Sequence, residues 1–217
     1  MPLHSYIVEH DKGFAPNPFH GLCTLATCKP KIRKYAKVGD YVIGTGTAKR
    51  GLQGRLVYVM RISEVTTFDN YWSDRRFSRK KALMNGSWVQ RYGDNIYHRD
   101  PTTNTWTQED SFHSQKCGVC DPDNLGVDTG STERVLIGEW FIYWGGSGPA
   151  IPRHFDSFLH KGIGHHRIDD ESKIRDFLSW AGSQGDLGVN GEPAEWRYPP
   201  RKRRLRGSSI SLQPRSG

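Results

Sequence analysis

Between Phe14 and Pro30 the chain carries thiols, hydroxyls, aromatic rings and an amide within seventeen residues, punctuated by Pro16, Pro18, Gly21 and Pro30. Such a mixture is poor core material, because every polar group in it would need a buried partner. It suits the lining of a pocket. Lys37-Val38-Gly39-Asp40 follows as a turn into a strand, Tyr41–Thr45, and a second strand runs over Arg55–Val65. The stretch from Phe14 to Val65 therefore reads as a cleft-forming unit, a polar loop laid against paired strands.

The remaining pattern is one of short strands with few helices. Leu3–Glu9 alternates as a first strand. Pro30 opens a short helix over Lys31–Ala36. Thr66–Trp72 reads as an N-capped helical turn. Residues 73–95 read as irregular. Ile96–His98, Asn104–Thr107, Glu133–Gly138 and Trp140–Gly146 have strand character. The one strong helix is Asp169–Ala181, with acids at its start and an apolar stripe of Ile174, Phe177, Leu178 and Ala181. Beyond Gly182 the composition turns to Gly, Pro, Ser and Arg. The reading is one domain over residues 1–182 and a disordered basic tail over 183–217. The fold class is α+β, a small mixed β-barrel with one or two flanking helices and that tail.

Of the net charge of +8, residues 197–217 carry seven Lys/Arg and no acid. Residues 1–81 hold 15 basic and 6 acidic side chains, whereas 82–196 hold 9 and 17. If the fold keeps that division, one face attracts phosphates. No window holds 18 apolar residues, so no membrane span is expected. No leader pattern is seen, and a cytoplasmic location is expected. Four cysteines then argue for free thiols or a metal rather than disulfides.

The phrases Phe14–Phe19, Cys23–Pro30, Gly93–His98 and Tyr143–Gly146 are similar to the second nucleotide-modification-associated domain family, a likeness that covers roughly Leu3–Trp180. The turn and paired strands ending in Glu64-Val65 also resemble the barrel core of the PUA-like superfamily, which includes the EVE, YTH and ASCH domains. The resemblance implies a role beside DNA base hypermodification in bacteriophages and bacteria, and a base-accepting pocket on a barrel. It implies no settled reaction.

The candidate site residues follow from the chemistry of each type. A nucleobase pocket needs aromatic walls and edge donors or acceptors. Trp144, followed by two glycines, Tyr71 and Phe14 are candidate walls, and Asn95, Asp94, Asn17 and Thr24 candidate edge readers. Trp144, Asn95, His98 and Asp110 are expected to line one pocket. Lys29, Arg33, Lys34, Lys49, Arg50 and His165 are candidate phosphate contacts, the last within a Gly-punctuated basic loop, His160–Arg167. For catalysis, His98, Asp110 and His113 supply imidazoles and a carboxylate, and Cys23 precedes a basic helix, where a thiolate is stabilised. A zinc site built from Cys23, Cys28, Cys117 and Cys120, or from the second pair with His98 or His113, competes with four unligated thiols, which is the preferred reading. Walker, dinucleotide and His-Glu-x-x-His motifs are absent, so no cofactor is expected.

Three functions stay open. The first is binding of DNA that carries a modified or hypermodified base, in a modification or phage-defence setting, with base flipping into the pocket. The second is an enzyme altering or removing a group on a DNA base or nucleotide, through His98, Asp110, His113 and Cys23. The third is a scaffold for DNA-modifying enzymes.

Overall fold

The structure is a computed structural model and describes residues 1–196. Eleven strands appear: β1 Leu3–Val8, β2 Cys23–Leu25, β3 Tyr41–Gly46, β4 Leu56–Arg61, β5 Glu64–Thr67, β6 Tyr97–Arg99, β7 Trp106–Gln108, β8 Arg134–Gly138, β9 Trp140–Tyr143, β10 His165–Ile168 and β11 Gly188–Val189. Five α-helices interleave with them: α1 Pro30–Tyr35, α2 Phe68–Ser73, α3 Trp88–Arg91, α4 Pro122–Thr129 and α5 Glu171–Gly182.

The main sheet has six strands in the order β10-β1-β3-β4-β9-β11, with β1/β3 and β9/β11 parallel. A second sheet runs β2-β8-β5, and β6 and β7 form a hairpin. Strand alternation places successive residues on opposite faces. Val42, Tyr58, Met60 and Phe141 therefore join one core with β2 and α1, while Ile43, Val59 and Ile142 join another beneath α5. A third core, Phe14, Phe68, Tyr71, Phe77, Ile96 and Tyr97, fills the space under α2 and the hairpin. The class is α+β, as the sequence pattern implies. The expected closed barrel is not formed among the described residues, since the main sheet ends at β10 and β11.

Local differences have local causes. The strand expected over Arg55–Val65 is two strands, because the chain leaves the main sheet after Arg61 and Ser63 N–H bonds Ile137 O in the second sheet. The stretch read as irregular holds a 3-10 turn at Arg75–Lys80 and α3, closed by a Ser87/Gln90 capping box. The segment from 183 to 196, expected to be disordered, is folded. β11 pairs with β9, Ala194 N–H bonds Asp11 Oδ2, and Trp196 stacks on Phe19. Residues 197–217, with the Arg-rich run, lie outside the described residues.

The two charge-biased halves interleave. Arg99 pairs with Asp69 and Glu133, and Glu195 takes both Lys12 and Arg50. A simple basic face does not follow from the sequence division.

Candidate active site

The Phe14–Pro30 loop builds two polar clusters that differ in access to solvent. The first centres on Lys80, which no sequence pattern singles out. Its Nζ donates to Asn17 O and Oδ1 at 2.9 Å each, to Leu22 O at 2.8 Å and to Thr24 Oγ1 at 3.1 Å. Asp94 completes the cluster, accepting from Thr24 Oγ1 at 2.6 Å and from Tyr71 OH at 2.8 Å. Lys80, Asp94, Thr24, Asn17 and Tyr71 are all buried. Burial pushes Lys80 down to about 8, against the attraction of Asp94 and Cys23. Burial likewise raises Asp94, with Lys80 opposing. Four of the expected base-contacting residues, Asn17, Thr24, Tyr71 and Asp94, are thus together, but their polar atoms face one another and Lys80.

The second cluster is open. Cys28 Sγ lies 3.8 Å from His113 Nε2, and His113 Nδ1 lies 2.8 Å from Asp128 Oδ2. The His113 side chain is 12% exposed and that of Asp128 0%. Asp128 sits near the C-terminus of α4, whose start is fixed by Asp121 capping Asp123 and Asn124 and by Pro122 in the first turn. Its remaining acceptor capacity is used: Oδ1 accepts Cys28 N–H at 2.6 Å, and Oδ2 also accepts Tyr97 OH at 2.9 Å. Gln108 braces both partners, its Nε2 lying 3.1 Å from Tyr97 OH and from His113 O. Burial opposes a charge on His113, but the bonds to Asp128 and Cys28 prevail and hold it up at about 9. At neutral pH the ring is therefore an imidazolium, with Nε2 turned toward the Cys28 sulfur.

The backbone at the thiol is unusual. Cys28 and Lys29 have φ of 56° and 42°, consecutive left-handed residues that are not glycine. Each such residue costs about 1–3 kcal/mol and persists only where its surroundings over-determine it. Here Asp128 holds the Cys28 N–H and Arg33 Nε holds its carbonyl at 2.9 Å. Arg33, expected to bind phosphate, is fully buried with its guanidinium spent on the carbonyls of Cys28, Asp128 and Arg134. Its role is to set the Cys28 backbone.

Cys28 and His113 open into a cavity of about 180 Å³ lined also by Tyr6, Phe14, Lys12, Lys29 and Phe112. The Phe14 ring lies 4.6 Å from His113. From Phe112 an aromatic run leads outward, through Tyr92 at 5.5 Å to Trp196 and Trp88. A larger hollow of about 650 Å³ borders Phe19, His20 and Arg79 but has no thiol.

Other expected site residues lie elsewhere. Cys23 is on β2, fully exposed to the core and to nothing else, and burial pushes its thiol up to about 12. Its sulfur meets no imidazole, whereas that of Cys28 does. His98 pairs with Glu109 and stacks on Trp72 at 4.3 Å. Asp110 is exposed and accepts from Ser114. Asn95 is buried and donates to Tyr71 O. Trp144 is buried beneath α5, its Nε1 bonded to Gln184 O. The shared pocket of Trp144, Asn95, His98 and Asp110 is therefore not formed. Of the phosphate candidates, Lys49 and Arg50 hold Glu9 and Glu195, Lys34 is exposed on α1, and His165 sits on β10 beside His4. Only His113, Phe14 and Lys29 reach the open site.

Among the described residues, Cys28, His113 and Asp128 are also the one group of three donors close enough for a metal, within 4.8 Å. Asp128 fits that use poorly, because both its oxygens already accept hydrogen bonds. Cys117 and Cys120 are exposed and enter no such group.

A thiol, an imidazole and a carboxylate thus stand in hydrogen-bonding line beside a cavity. The chain belongs to the nucleotide modification associated domain 2 family, whose model matches residues 1–200. That places it in the setting of nucleotide modification. No curated protein and no solved structure matches the chain. No helix of the described residues is long and apolar enough to cross a membrane.

Proposed function

We propose that this protein is a cysteine-dependent enzyme that alters or removes a group carried by a nucleotide or DNA base. The observation that carries the proposal is the Cys28–His113–Asp128 relay opening into a cavity with aromatic walls. Cys28 Sγ attacks an acyl carbon of the substrate and forms a C–S bond. The bond from that carbon to its leaving nitrogen or oxygen breaks, and His113 Nε2 gives its proton to the leaving atom. Water then attacks the thioester, giving one proton to His113 and the other to solvent as the C–S bond breaks, which releases a carboxylate and restores the thiolate beside an imidazolium. Asp128 keeps Nδ1 protonated and the ring turned toward sulfur.

The aromatic run from Phe112 to Trp88 supports the base-binding part of this reading. Stacking is tolerant of base identity, so these rings suit a nucleobase outside the cavity with its substituent inside. DNA is the partner we favour. On this reading the PUA-like kinship is that of an opened relative of that barrel.

The test is mass spectrometry of nucleosides and nucleotide pools from cells producing the wild type or Cys28→Ala. A species that changes with the wild type and not with the variant is expected. Identical profiles, together with a Cys28 no more reactive than an ordinary thiol, would sink the proposal.

A further inference from the structure

Two ammonium groups line the Cys28 cavity, together with the Glu9 carboxylate and the His10 ring, and they are not equivalent. Lys12 is paired with Glu195 at 3.3 Å and lies 4.5 Å from the Phe112 ring centre. Lys29 has no hydrogen-bond or ion-pair partner among the described residues. Its Nζ sits 4.7 Å from the Tyr6 ring centre. Burial lowers it from the ordinary lysine value, opposed by the attraction of Cys28 and Glu9. Glu9 is already engaged by Lys49. Lys29 thus feels Glu9 and Cys28 without touching either as a hydrogen-bond or ion-pair partner, and a partly desolvated cation so placed is relieved by an anion in direct contact. Lys29 is also the residue after Cys28, in the same left-handed backbone that the Asp128 and Arg33 bonds hold, so its side chain leaves the backbone directly beside the thiol.

The cavity is also small. At about 180 Å³ it is below the roughly 300–1,000 Å³ of pockets that enclose a drug-sized ligand. It admits an end group and not a whole nucleotide.

Resting on the thiol reading above, we infer that the Cys28 cavity takes a small acyl substituent that bears an anionic group, carboxylate or phosphate, and that Lys29 holds that anion beside the reacting carbon. Lys29 is then a specificity-determining contact, with Lys12 confined to the cavity mouth by Glu195.

The test compares alkylation of Cys28 in the full chain by iodoacetate and iodoacetamide at neutral pH. In both, sulfur bonds the methylene carbon and iodide leaves, but only iodoacetate carries an anion next to that carbon. Peptide mapping follows Cys28, with the exposed Cys117 and Cys120 as internal references. The iodoacetate-to-iodoacetamide rate ratio at Cys28 should exceed the reference ratio at least about fivefold, the factor that ~1 kcal/mol of charge attraction gives. Lys29→Met should bring it most of the way down, and Lys29→Arg should keep it. A ratio unchanged in Lys29→Met assigns the attraction to His113 and overturns the inference. In the wild type alone, the preference should fade as salt is raised, and a preference absent at low salt overturns the inference without any variant. Inorganic phosphate and acetate are then tried as protectants against iodoacetamide. Lys29-dependent protection by either supports the inference and names the anion, and protection by neither counts against it. If iodoacetamide alkylates Cys28 no faster than Cys117 or Cys120, and His113→Ala changes nothing, it is the thiol reading that has failed.

Discussion

The two polar clusters come from one loop and end differently. Around Lys80 every polar atom meets another: Nζ has four acceptors, and Asp94 has two hydroxyl donors as well as the nearby ammonium. Around Cys28 the hydrogen bonds run from Asp128 through His113 to the sulfur and then stop at a cavity, with Lys29 unpaired among the described residues beside it. Residue types do not separate the two, since each holds a cation and a carboxylate. What separates them is whether the last group in the chain of hydrogen bonds is used inside the protein. A closed network specifies the fold. One that ends at a cavity has a group left over for chemistry.

The sharpest way to break that comparison is to remove the sulfur. Cys28→Ala should lower turnover of the natural substrate at least about a thousandfold, while Cys23→Ala should leave turnover per folded molecule unchanged. Residual activity in Cys28→Ala comparable to the wild type would reduce the open cluster to structure.

Lys80→Met should act on stability instead. It leaves the buried acceptors Asn17 O, Asn17 Oδ1 and Leu22 O without their donor and removes the charge that offsets the burial of Asp94, and each unsatisfied buried group costs about 1–3 kcal/mol. Denaturant unfolding measures it. The double variant Lys80→Met/Asp94→Asn should recover part of the loss, since the uncompensated charge goes with it. A Lys80→Met protein of wild-type stability would show that the ammonium contributes nothing to the fold.

The two clusters also have opposite pH signatures. His113 is raised from 6.5 to about 9, so the folded state holds its proton more tightly. Its contribution to stability is full below about 6.5 and lost as pH rises through about 9. Lys80 is lowered from 10.5 to about 8, so the unfolded chain binds more protons between those values and stability rises with pH across that window. Unfolding measured from pH 6 to 10 should show the falling limb vanish in His113→Gln and the rising limb vanish in Lys80→Met. If His113→Gln leaves the limb from 6.5 to 9 intact, the imidazolium assignment is wrong.

Much of this was legible in the sequence, and what was missed has physical reasons. The mixed strand pattern and the acidic start and apolar stripe of α5 are local properties, and the structure bears them out. That Cys23 is buried and Cys28 is the thiol beside His113 was not readable, because β2 is only three residues long, too short for its alternation to show that its thiol points inward. Asp128 lies 100 residues from Cys28, and spacing alone cannot bring them together. The Asp121-Pro122 start of α4 was readable as a cap and would have placed Asp128 on a helix. Lys80 was hidden because lysine is almost never fully buried unless paired, and its four partners come from a distant loop. The barrel expectation failed on connectivity: β10 and β11 pair at the two edges of the main sheet and leave it open.

The smallest effect concerns the aromatic run. Tyr92 lies 5.5 Å from Phe112 and also stacks with Trp88 at 5.9 Å, and Trp88 is 38% exposed. If these rings receive a base, Trp88→Ala should weaken nucleotide or single-stranded DNA binding by about 1–3 kcal/mol, measured by fluorescence anisotropy. An exposed ring on a four-residue helix holds little of the core, so stability should change by less than about 0.5 kcal/mol. Alkylation of Cys28 by iodoacetamide, a reagent with no ring to stack, should not change. Those three results together separate base stacking from the chemistry of the relay. A loss of Cys28 reactivity in Trp88→Ala would instead mean that the run of rings props up the His113 loop, and that the open cluster depends on its walls as the closed one does.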